Sequence, residues 1–323
     1  MILITGGAGF LGSALHAALA RRGERCIVVD RLGAEGKWRN LRLHPPALLL
    51  RPEQLDGYLD SAHDLDVIVH LGAVSQTTAT DADHVWAINV ELSWRLWRWC
   101  ALHGLRFLYA SSASTYGDGS HGFDDDLALL PRLQPLNLYG WSKHALDLRV
   151  AESLELGEPV PAQWAALKFF NVYGPNEYHK GNMTSVVKRK WDEVQAGAPA
   201  TLFRSDRDGI ADGEQRRDFI WVHDGVEIVL WLLDHPAVSG LFNAGTGRAR
   251  SYRDVVCAVC AACGREEAIA FVPMPEVLRG HYQSFTEARM DRLRAAGYPG
   301  AFTSLEEGVR RYSEILASSD PYL

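Results

Sequence analysis

Tyr139-Gly140-Trp141-Ser142-Lys143 places a phenol and an ammonium four residues apart, on one face if the segment is helical. A free phenol ionises near pH 10 and is a poor base at neutrality. A neighbouring cation favours the phenolate. A depression of about two to three units, roughly 3–4 kcal/mol, would fit Tyr139 for general acid–base work. The same spacing also occurs as surface decoration, so a second feature matters. Phe107–Ala113 is an apolar run ending in Ser111 and Ser112, just before Thr115-Tyr116-Gly117. A serine at the carboxyl end of a strand faces the ligand crevice of an open α/β sheet. There Ser112 could hydrogen-bond a substrate hydroxyl and the carbonyl oxygen that oxidation makes of it. A serine-rich turn is the plainer alternative.

Such groups need a hydride acceptor, and the amino-terminal segment has the form of a site for one. The apolar run Met1–Thr5 leads into Gly6-Gly7-Ala8-Gly9-Phe10-Leu11-Gly12, then a helix-like stretch, then Cys26–Val29 ending in Asp30. This is a βαβ unit with a dinucleotide fingerprint. Gly6 suits a tight turn, Gly9 leaves room for pyrophosphate, and Gly12 allows close helix–strand packing. The helix N-terminus then offers free N–H groups to phosphate. Bound oxidised nicotinamide would add a second cation beside Tyr139. Asp30 alone favours a free ribose 2′-OH. Arg31 and Lys37 can instead reach a 2′-phosphate, Arg bidentately, which predicts NADP; as solvated loop charges they would leave Asp30 to a ribose hydroxyl. His70-Leu71-Gly72-Ala73-Val74-Ser75 ends a further strand where an adenosine ribose would lie, and Asn89 is placed to brace that loop.

Composition limits the alternatives. The 323 residues are 47% hydrophobic and 23% charged, as in ordinary soluble proteins. A net charge of −7 lacks the basic footprint that nucleic acid requires. No apolar stretch is long enough to span a bilayer, and a first strand at residue 2 leaves no room for a targeting peptide. Five cysteines in a chain of this size predict a reducing cytoplasm rather than disulfides. Cys257, Cys260 and Cys263 invite a metal reading, but Ser251, Asp254 and Gly264 mark the two ends of one helix around them. They read as small buried hydrophobes, so no metal is expected. Asp206, Asp208, Asp212 and Glu214 hint at calcium, but Ile210 breaks the ligand order of such loops. Trp86, Trp94, Trp97 and Trp99 crowd one predicted helix and read as packing, with a stacking site for a base or sugar as the alternative.

Strand-like runs at 2–5, 26–30, 47–50, 66–71, 106–110 and 164–170, mostly separated by helical patterns, predict an α/β fold. Its core is a Rossmann-type, doubly wound parallel sheet. The alternation weakens after about residue 171. Short strands return at 217–222 and 241–245. The division expected is a dinucleotide-binding domain of residues 1–170 plus about 217–245. A smaller mixed α/β substrate lobe takes about 171–216 plus 246–323. The ligand lies between them.

Ser112, Tyr139 and Lys143, with the glycine turn, resemble the extended short-chain dehydrogenase/reductase family. Phe170-Asn171-Val172-Tyr173-Gly174-Pro175 is a general nucleotide-sugar signature of that family. The segment His179-Lys180-Gly181-Asn182-Met183-Thr184-Ser185-Val186 is rarer and is similar to the substrate loop of the ADP-L-glycero-D-manno-heptose 6-epimerases. Gly280–Thr286 and Leu293–Tyr298 resemble their carboxyl-terminal lobe. The resemblance implies interconversion of ADP-heptose epimers for the lipopolysaccharide inner core, with tightly held NADP, no metal, and a homo-oligomer, the pentamer. It implies cofactor contacts from Phe10, Leu11, Asp30, Arg31, Lys37, Leu71 to Ser75, Asn89, Tyr139, Lys143 and Val172. It implies sugar-nucleotide contacts from Asn171, Lys180, Asn182, Phe203, Arg204, Ser205, Asp206, Arg217 and Tyr282, and from Arg189, where a relative has His. The family often has an acid at Leu71, Cys at Val74 and Asn at Arg31. The segment Arg207–Gln215 is longer than in some relatives.

An unactivated C6″ proton is not acidic, whereas hydride removal gives a ketone that can be reduced on its other face. Tyr139 then serves one sugar orientation and Lys180 the other, unless Lys180 is a phosphate clamp. A UDP-hexose 4-epimerase is the nearest alternative, and the Lys180 loop argues against it. A dehydratase typically has Thr-Asp-Glu where Ser112-Ala113-Ser114 stands. A non-enzymatic NADP-sensing module would not need Ser112, Tyr139 and Lys143 together.

Overall fold

A computed structural model describes residues 1–61, 64–276 and 283–323. Six parallel strands form first: β1 (Ile2–Thr5), β2 (Cys26–Val29), β3 (Leu48–Leu50), β4 (Val67–His70), β5 (Arg106–Ser112) and β6 (Gln163–Phe169). They lie in the order β3-β2-β1-β4-β5-β6, with the chain reversing direction across the sheet between β1 and β4. A late strand, Gly240–Ala244, adds to the β6 edge, in parallel and in register from Gly240 opposite Ala165 to Ala244 opposite Phe169. This is the doubly wound arrangement read from the sequence. The runs at 2–5, 26–30, 47–50, 66–71, 106–110 and 164–170 are all strands here, with ends differing by at most two residues. The central strands are buried on both faces, which is why they read as unbroken apolar runs.

Helices cover both faces. They are α1 (Phe10–Arg21), α2 (Leu55–Leu59), α3 (Ala82–Trp86), α4 (Leu92–His103) and α5 (Leu138–Glu155). Between α3 and α4 the chain passes through one π-helical stretch, Ala87–Glu91, that carries Asn89. The tryptophans of α4 pack as the sequence predicts: Trp97 is fully buried, with Trp164 and Phe107 set edge-on against it.

Short elements take over beyond β6. The strand β7 (Asn171–Tyr173), helix α6 (Val186–Gln195) and strands β8 (Ala200–Phe203) and β9 (Arg216–Trp221) precede α7 (Val222–Asp234). After β10 (Gly240–Ala244) come β11 (Ala249–Ser251), α8 (Tyr252–Cys263), β12 (Ile269–Val272), α9 (Asp291–Ala295) and α10 (Leu305–Ala317). The strand expected at 217–222 does not join the large sheet. It pairs with β7 in parallel and β11 antiparallel in a three-stranded sheet, while β8 pairs with β12 alone. The helix expected around the three cysteines is α8. Ser251 Oγ accepts from Asp254 N–H at 3.1 Å, and Gly264 ends the helix at φ +63°. All five thiols are free, and among the described residues no group of side chains is arranged to hold a metal. No helix among them is long and apolar enough to cross a membrane.

One connection bears directly on the site. Asn176, after β7, has φ +72°, the only left-handed non-glycine among the described residues. It is fully buried. Its amide donates to Ser13 Oγ at 3.0 Å and its side-chain oxygen accepts from Leu323 N–H at 3.1 Å. Asn40 donates to its carbonyl at 3.0 Å. Asparagine tolerates this backbone better than other non-glycine residues, and the side-chain partners hold it there. Asn176→Ala should lose about 2–4 kcal/mol of stability in urea unfolding, combining left-handed strain with the loss of two side-chain hydrogen bonds. A loss under about 0.5 kcal/mol would show that these bonds do not fix the turn.

Candidate functional site

The site is built where β1, β4 and β5 end side by side. Gly6 has φ +66°, and a Cβ there would lie 2.6 Å from Gly72 N. A Cβ on Gly12 would lie 2.1 Å from the Gly6 carbonyl. These two glycines let the turn, α1 and the end of β4 approach closely. Gly9 differs, because a Cβ there would meet only the Gly6 carbonyl, at 3.1 Å, and otherwise open space. That opening lies at the N-terminus of α1, whose first N–H groups have no side-chain cap. A dinucleotide pyrophosphate fits there.

The β4 end is fastened from below. Gly72 N–H donates to Thr5 Oγ1 at 3.2 Å, and Thr5 Oγ1 lies 2.6 Å from His70 Nδ1. His70 Nε2 lies 2.7 Å from Ser93 Oγ, which donates to the Asn89 carbonyl at 2.8 Å. The hydroxyl of Ser93 is therefore an acceptor for His70, which assigns the ring proton to Nε2. Burial, aided by Lys143, pushes the His70 pKa down to about 3, so the ring stays neutral. Asn89 is wholly buried. It accepts from Val74 N–H at 2.8 Å and donates to the Val74 carbonyl at 3.0 Å and to Ser142 Oγ at 2.9 Å. The bracing role read for Asn89 fits this geometry. Both N–H groups of its amide are already placed, one on the Val74 carbonyl and one on Ser142 Oγ, so any part it has in cofactor binding runs through the loop it holds. Leu71, Gly72, Ala73 and Val74 are half-buried and Ser75 is exposed.

Asp30 follows β2 and accepts from Ala8 N–H at 2.9 Å, Arg31 N–H at 2.7 Å and Lys37 Nζ at 2.9 Å. Arg31 itself forms an ion pair with Glu53. Each cation expected near a 2′-phosphate is thus held by a carboxylate, Lys37 by Asp30 and Arg31 by Glu53. Asn40, which the sequence reading passes over, donates to the Ala8 carbonyl at 2.9 Å as well as to Asn176. It ties the glycine turn to the segment that carries Lys180.

Ser112, Tyr139 and Lys143 are brought together. Ser112 is the last residue of β5 and is buried, and Asn137 caps α5 so that Tyr139 sits in its first turn. The Ser112 hydroxyl hydrogen-bonds the Tyr139 phenol. The depression read from the sequence rests on Lys143 and an oxidised nicotinamide together, and the protein alone holds only the first. Burial holds the phenol above its ordinary value against the Ser112 hydrogen bond, and Asp147 adds to the rise. Lys143 is buried, and its Nζ donates to the Ala110 carbonyl at 2.8 Å. Burial brings Lys143 down to about 8, offset in part by Asp147. A cation bound beside Tyr139 is what the phenol needs to ionise near neutrality.

Lys180 lies in a short 3₁₀ stretch, Tyr178–Met183, kinked at Gly181. Its ammonium stands 5.2 Å over the Phe10 ring. Lys180 thus packs on the first helical residue after the glycine turn. Burial lowers its pKa and Glu177 opposes this. Glu177 is itself fully buried, accepting from Ser185 Oγ at 2.6 Å and Tyr312 OH at 3.1 Å. Leu11 packs against the core from α1, and Val172 does so from β7.

The expected sugar-nucleotide residues are spread over the smaller sheets. Asn171 opens β7 and is exposed, as are Asn182 and Arg189 on α6. Arg217 is buried in β9, with its guanidinium 5.6 Å over the Tyr252 ring. Phe203 ends β8, and Arg204 N–H continues the pairing to the Val272 carbonyl at 2.8 Å. Ser205 N–H donates to Asp212 Oδ1 at 2.8 Å, folding the Asp206–Ala211 loop back on itself; Asp206 is exposed. Tyr282 lies outside the described residues.

The profile of the NAD dependent epimerase/dehydratase family matches residues 2–245. The chain belongs to that family. It is 48% identical to the ADP-L-glycero-D-manno-heptose-6-epimerase of Nitratidesulfovibrio vulgaris strain DP4, across 100% of both chains. The protein of the same name from Fusobacterium nucleatum is 41% identical, also across 100% of both. Among solved structures, the Helicobacter pylori ADP-L-glycero-D-manno-heptose-6-epimerase superposes with a TM-score of 0.78 at 25% identity. That match covers 96% of this chain and 94% of the other. In this member of the epimerase/dehydratase family the glycine turn, the β4 end and the Ser112–Tyr139 pair share one crevice wall. Asp147 and Lys168, missed in the sequence, lie behind that wall. The four-residue step from Tyr139 to Lys143 continues to Asp147, a signal that could have found it.

Two glycine variants separate packing from binding. Gly12→Ala should lower the melting temperature by 10 °C or more, or prevent folding, because its Cβ overlaps backbone. Gly9→Ala should melt within a few degrees of the parent while releasing little or no nucleotide on denaturation. If Gly9→Ala retains a full complement of dinucleotide, the pyrophosphate does not lie at this turn.

Proposed function

We propose that the protein interconverts ADP-D-glycero- and ADP-L-glycero-D-manno-heptose at C6″, using tightly held NADP. The observation that carries this reading is full-length similarity at 48% identity to a protein of that name, with Ser112, Tyr139 and Lys143 in one place. Bound NADP supplies a hydride acceptor that returns what it takes. The chain's own residues do the rest. Ser112 orients the C6″ oxygen by hydrogen bonding. Tyr139 would take the hydroxyl proton as C6″ is oxidised in one orientation, and would return it only if the ketone is reduced in that same orientation. Lys143 holds positive charge beside the phenol and donates to the cofactor ribose. Reduction on the opposite face needs the sugar turned over. Lys180, already desolvated and on the substrate loop, serves as proton-transfer group for that orientation.

NADP rather than NAD follows from Arg31 and Lys37. A 2′-phosphate offers them an anion in place of Glu53 and Asp30, and Arg can bind it bidentately. Arg217 suits the substrate diphosphate. Asn171, Asn182, Arg189, Phe203 to Asp206 and Tyr282 complete the sugar-nucleotide side, with Val172, Phe10 and Leu11 on the cofactor side. We assign cofactor binding to residues 1–170 with about 222–245, and substrate binding to about 171–221 with 246–323, since β9 pairs with β7 and β11 and not with the large sheet that the 217–245 division assumes. By resemblance the protein acts in the cytoplasm as a homo-pentamer.

Three measurements check this reading. Denaturing the purified protein should release NADP without its having been added; release of NAD alone would contradict the 2′-phosphate assignment. Tyr139→Phe keeps the ring and loses the proton carrier, so kcat for ADP-heptose epimerisation should fall about 10²–10⁴-fold with nucleotide still bound. Near-parental turnover would remove Tyr139 from the chemistry. Lys180→Met keeps an apolar contact on Phe10 but no ammonium. Epimerisation should collapse at saturating substrate while NADP is retained, whereas a raised KM with intact kcat would make Lys180 a phosphate clamp.

A further inference from the structure

We propose that the buried Asp147–Lys168 ion pair is the positioning device of the Ser112–Tyr139–Lys143 site, fixing Ser112 in place and balancing the charge that Tyr139 faces. The inference rests on the reading of Tyr139 as a proton-transfer group.

The geometry begins on α5. Tyr139, Lys143 and Asp147 follow one another at four-residue steps and so share a face. Asp147 Oδ1 accepts from Tyr109 OH at 3.0 Å, and Oδ2 accepts from Ser111 Oγ at 2.7 Å and Lys168 Nζ at 3.0 Å. Both charged side chains have no exposed surface. Lys168, on β6, also donates to Thr115 Oγ1 at 2.6 Å and lies 4.8 Å over the Tyr116 ring. Thr115 Oγ1 in turn donates to the Ser112 carbonyl at 2.8 Å. Ser112 is therefore held from both sides. The residue before it is fastened to Asp147, and the residue three beyond it is fastened to Lys168 and to the Ser112 backbone.

A buried ion pair is weak evidence for stability, since apolar replacements of similar volume often do as well. Its use here is registration. It locks the end of β5 against the middle of α5, about two turns beyond the phenol, and so sets how the helix start meets the serine. The groups that face the pair are few. Tyr139, Lys143 and His144 do so from α5, Tyr109 and Ser111 from β5, and Thr115 and Tyr116 from the turn after β5, with Asp125 beyond Tyr116. His144 is held neutral by burial and by Lys168. Asp147 and Lys168 are thus the two opposed charges of this cluster, apart from Lys143.

The pair makes opposite predictions for its two halves. Lys168→Met leaves a carboxylate near Tyr139 and disfavours the phenolate. Asp147→Asn leaves an ammonium and favours it. On the acid side of the pH profile, where Lys143 keeps its proton, kcat should fall off at higher pH in Lys168→Met and at lower pH in Asp147→Asn. The displacement should be about one unit in each direction. The double variant should return to the parental limb. Equal or parallel displacements, in a protein that Tyr139→Phe inactivates, would overturn the proposal. Activity surviving in Tyr139→Phe would instead overturn the reading of Tyr139 itself. If a single variant does not fold, Thr115→Val carries the test, since it cuts the link from Lys168 to Ser112 without changing a charge. It should lower kcat about tenfold at unchanged KM and unchanged pH limb; an unchanged kcat would overturn the proposal.

Discussion

Backbone meets backbone at the carboxyl end of β1, and the crevice depends on that contact. Gly6 approaches Gly72 and Gly12 approaches Gly6 so closely that a single methyl group has no place at either position. This brings the start of α1, the end of β4 and, through Asn40, the segment after β7 to one edge of the sheet. The chain reversal between β1 and β4 opens the same edge to a ligand. Side chains then need only short reaches: Asp30 from β2, Ser112 from β5, Tyr139 from the first turn of α5, and Lys180 from beyond β7.

Electrostatics around Tyr139 follow from the same packing. A half-buried phenol is a worse acid than one in water, and this protein holds it so. Lys143, anchored by one of its three N–H groups on the Ala110 carbonyl, does not by itself reverse the burial cost. Charge arriving with the cofactor completes the balance. The reactive form of the base then belongs to the loaded crevice, which keeps a reactive phenolate from standing in an open site.

Much of this was legible in the sequence because it is local. The glycine turn, the acid at the end of β2, the serine at the end of β5 and the Tyr139–Lys143 spacing are fixed by strand and helix periods. The helix around Cys257, Cys260 and Cys263 was legible from its caps. What stayed hidden depends on contacts far apart in the chain. Asp147 and Lys168 are 21 residues apart and meet only once β6 lies beside β5. Glu53 claims Arg31 across a strand connection, and Leu323 reaches Asn176 across most of the smaller sheets. The strand at 217–222 was visible, but its sheet was not. Its unbroken apolar run fits either sheet, and the choice is made by pairing with β7 and β11. The contact of Lys180 with Phe10 was hidden for a similar reason, since it forms only once the chain turns at Asn176.

The central claim is that one carbon is oxidised and reduced again inside a closed crevice, with no proton taken directly from it. Running the epimerisation of ADP-D-glycero-D-manno-heptose to equilibrium in D₂O tests this most directly, with the product read by mass spectrometry and by proton NMR at C6″. Hydride taken and returned by a held cofactor carries the original hydrogen back, so the product should contain no carbon-bound deuterium at C6″. Stoichiometric deuterium at C6″ would mean direct deprotonation of that carbon and would contradict the account.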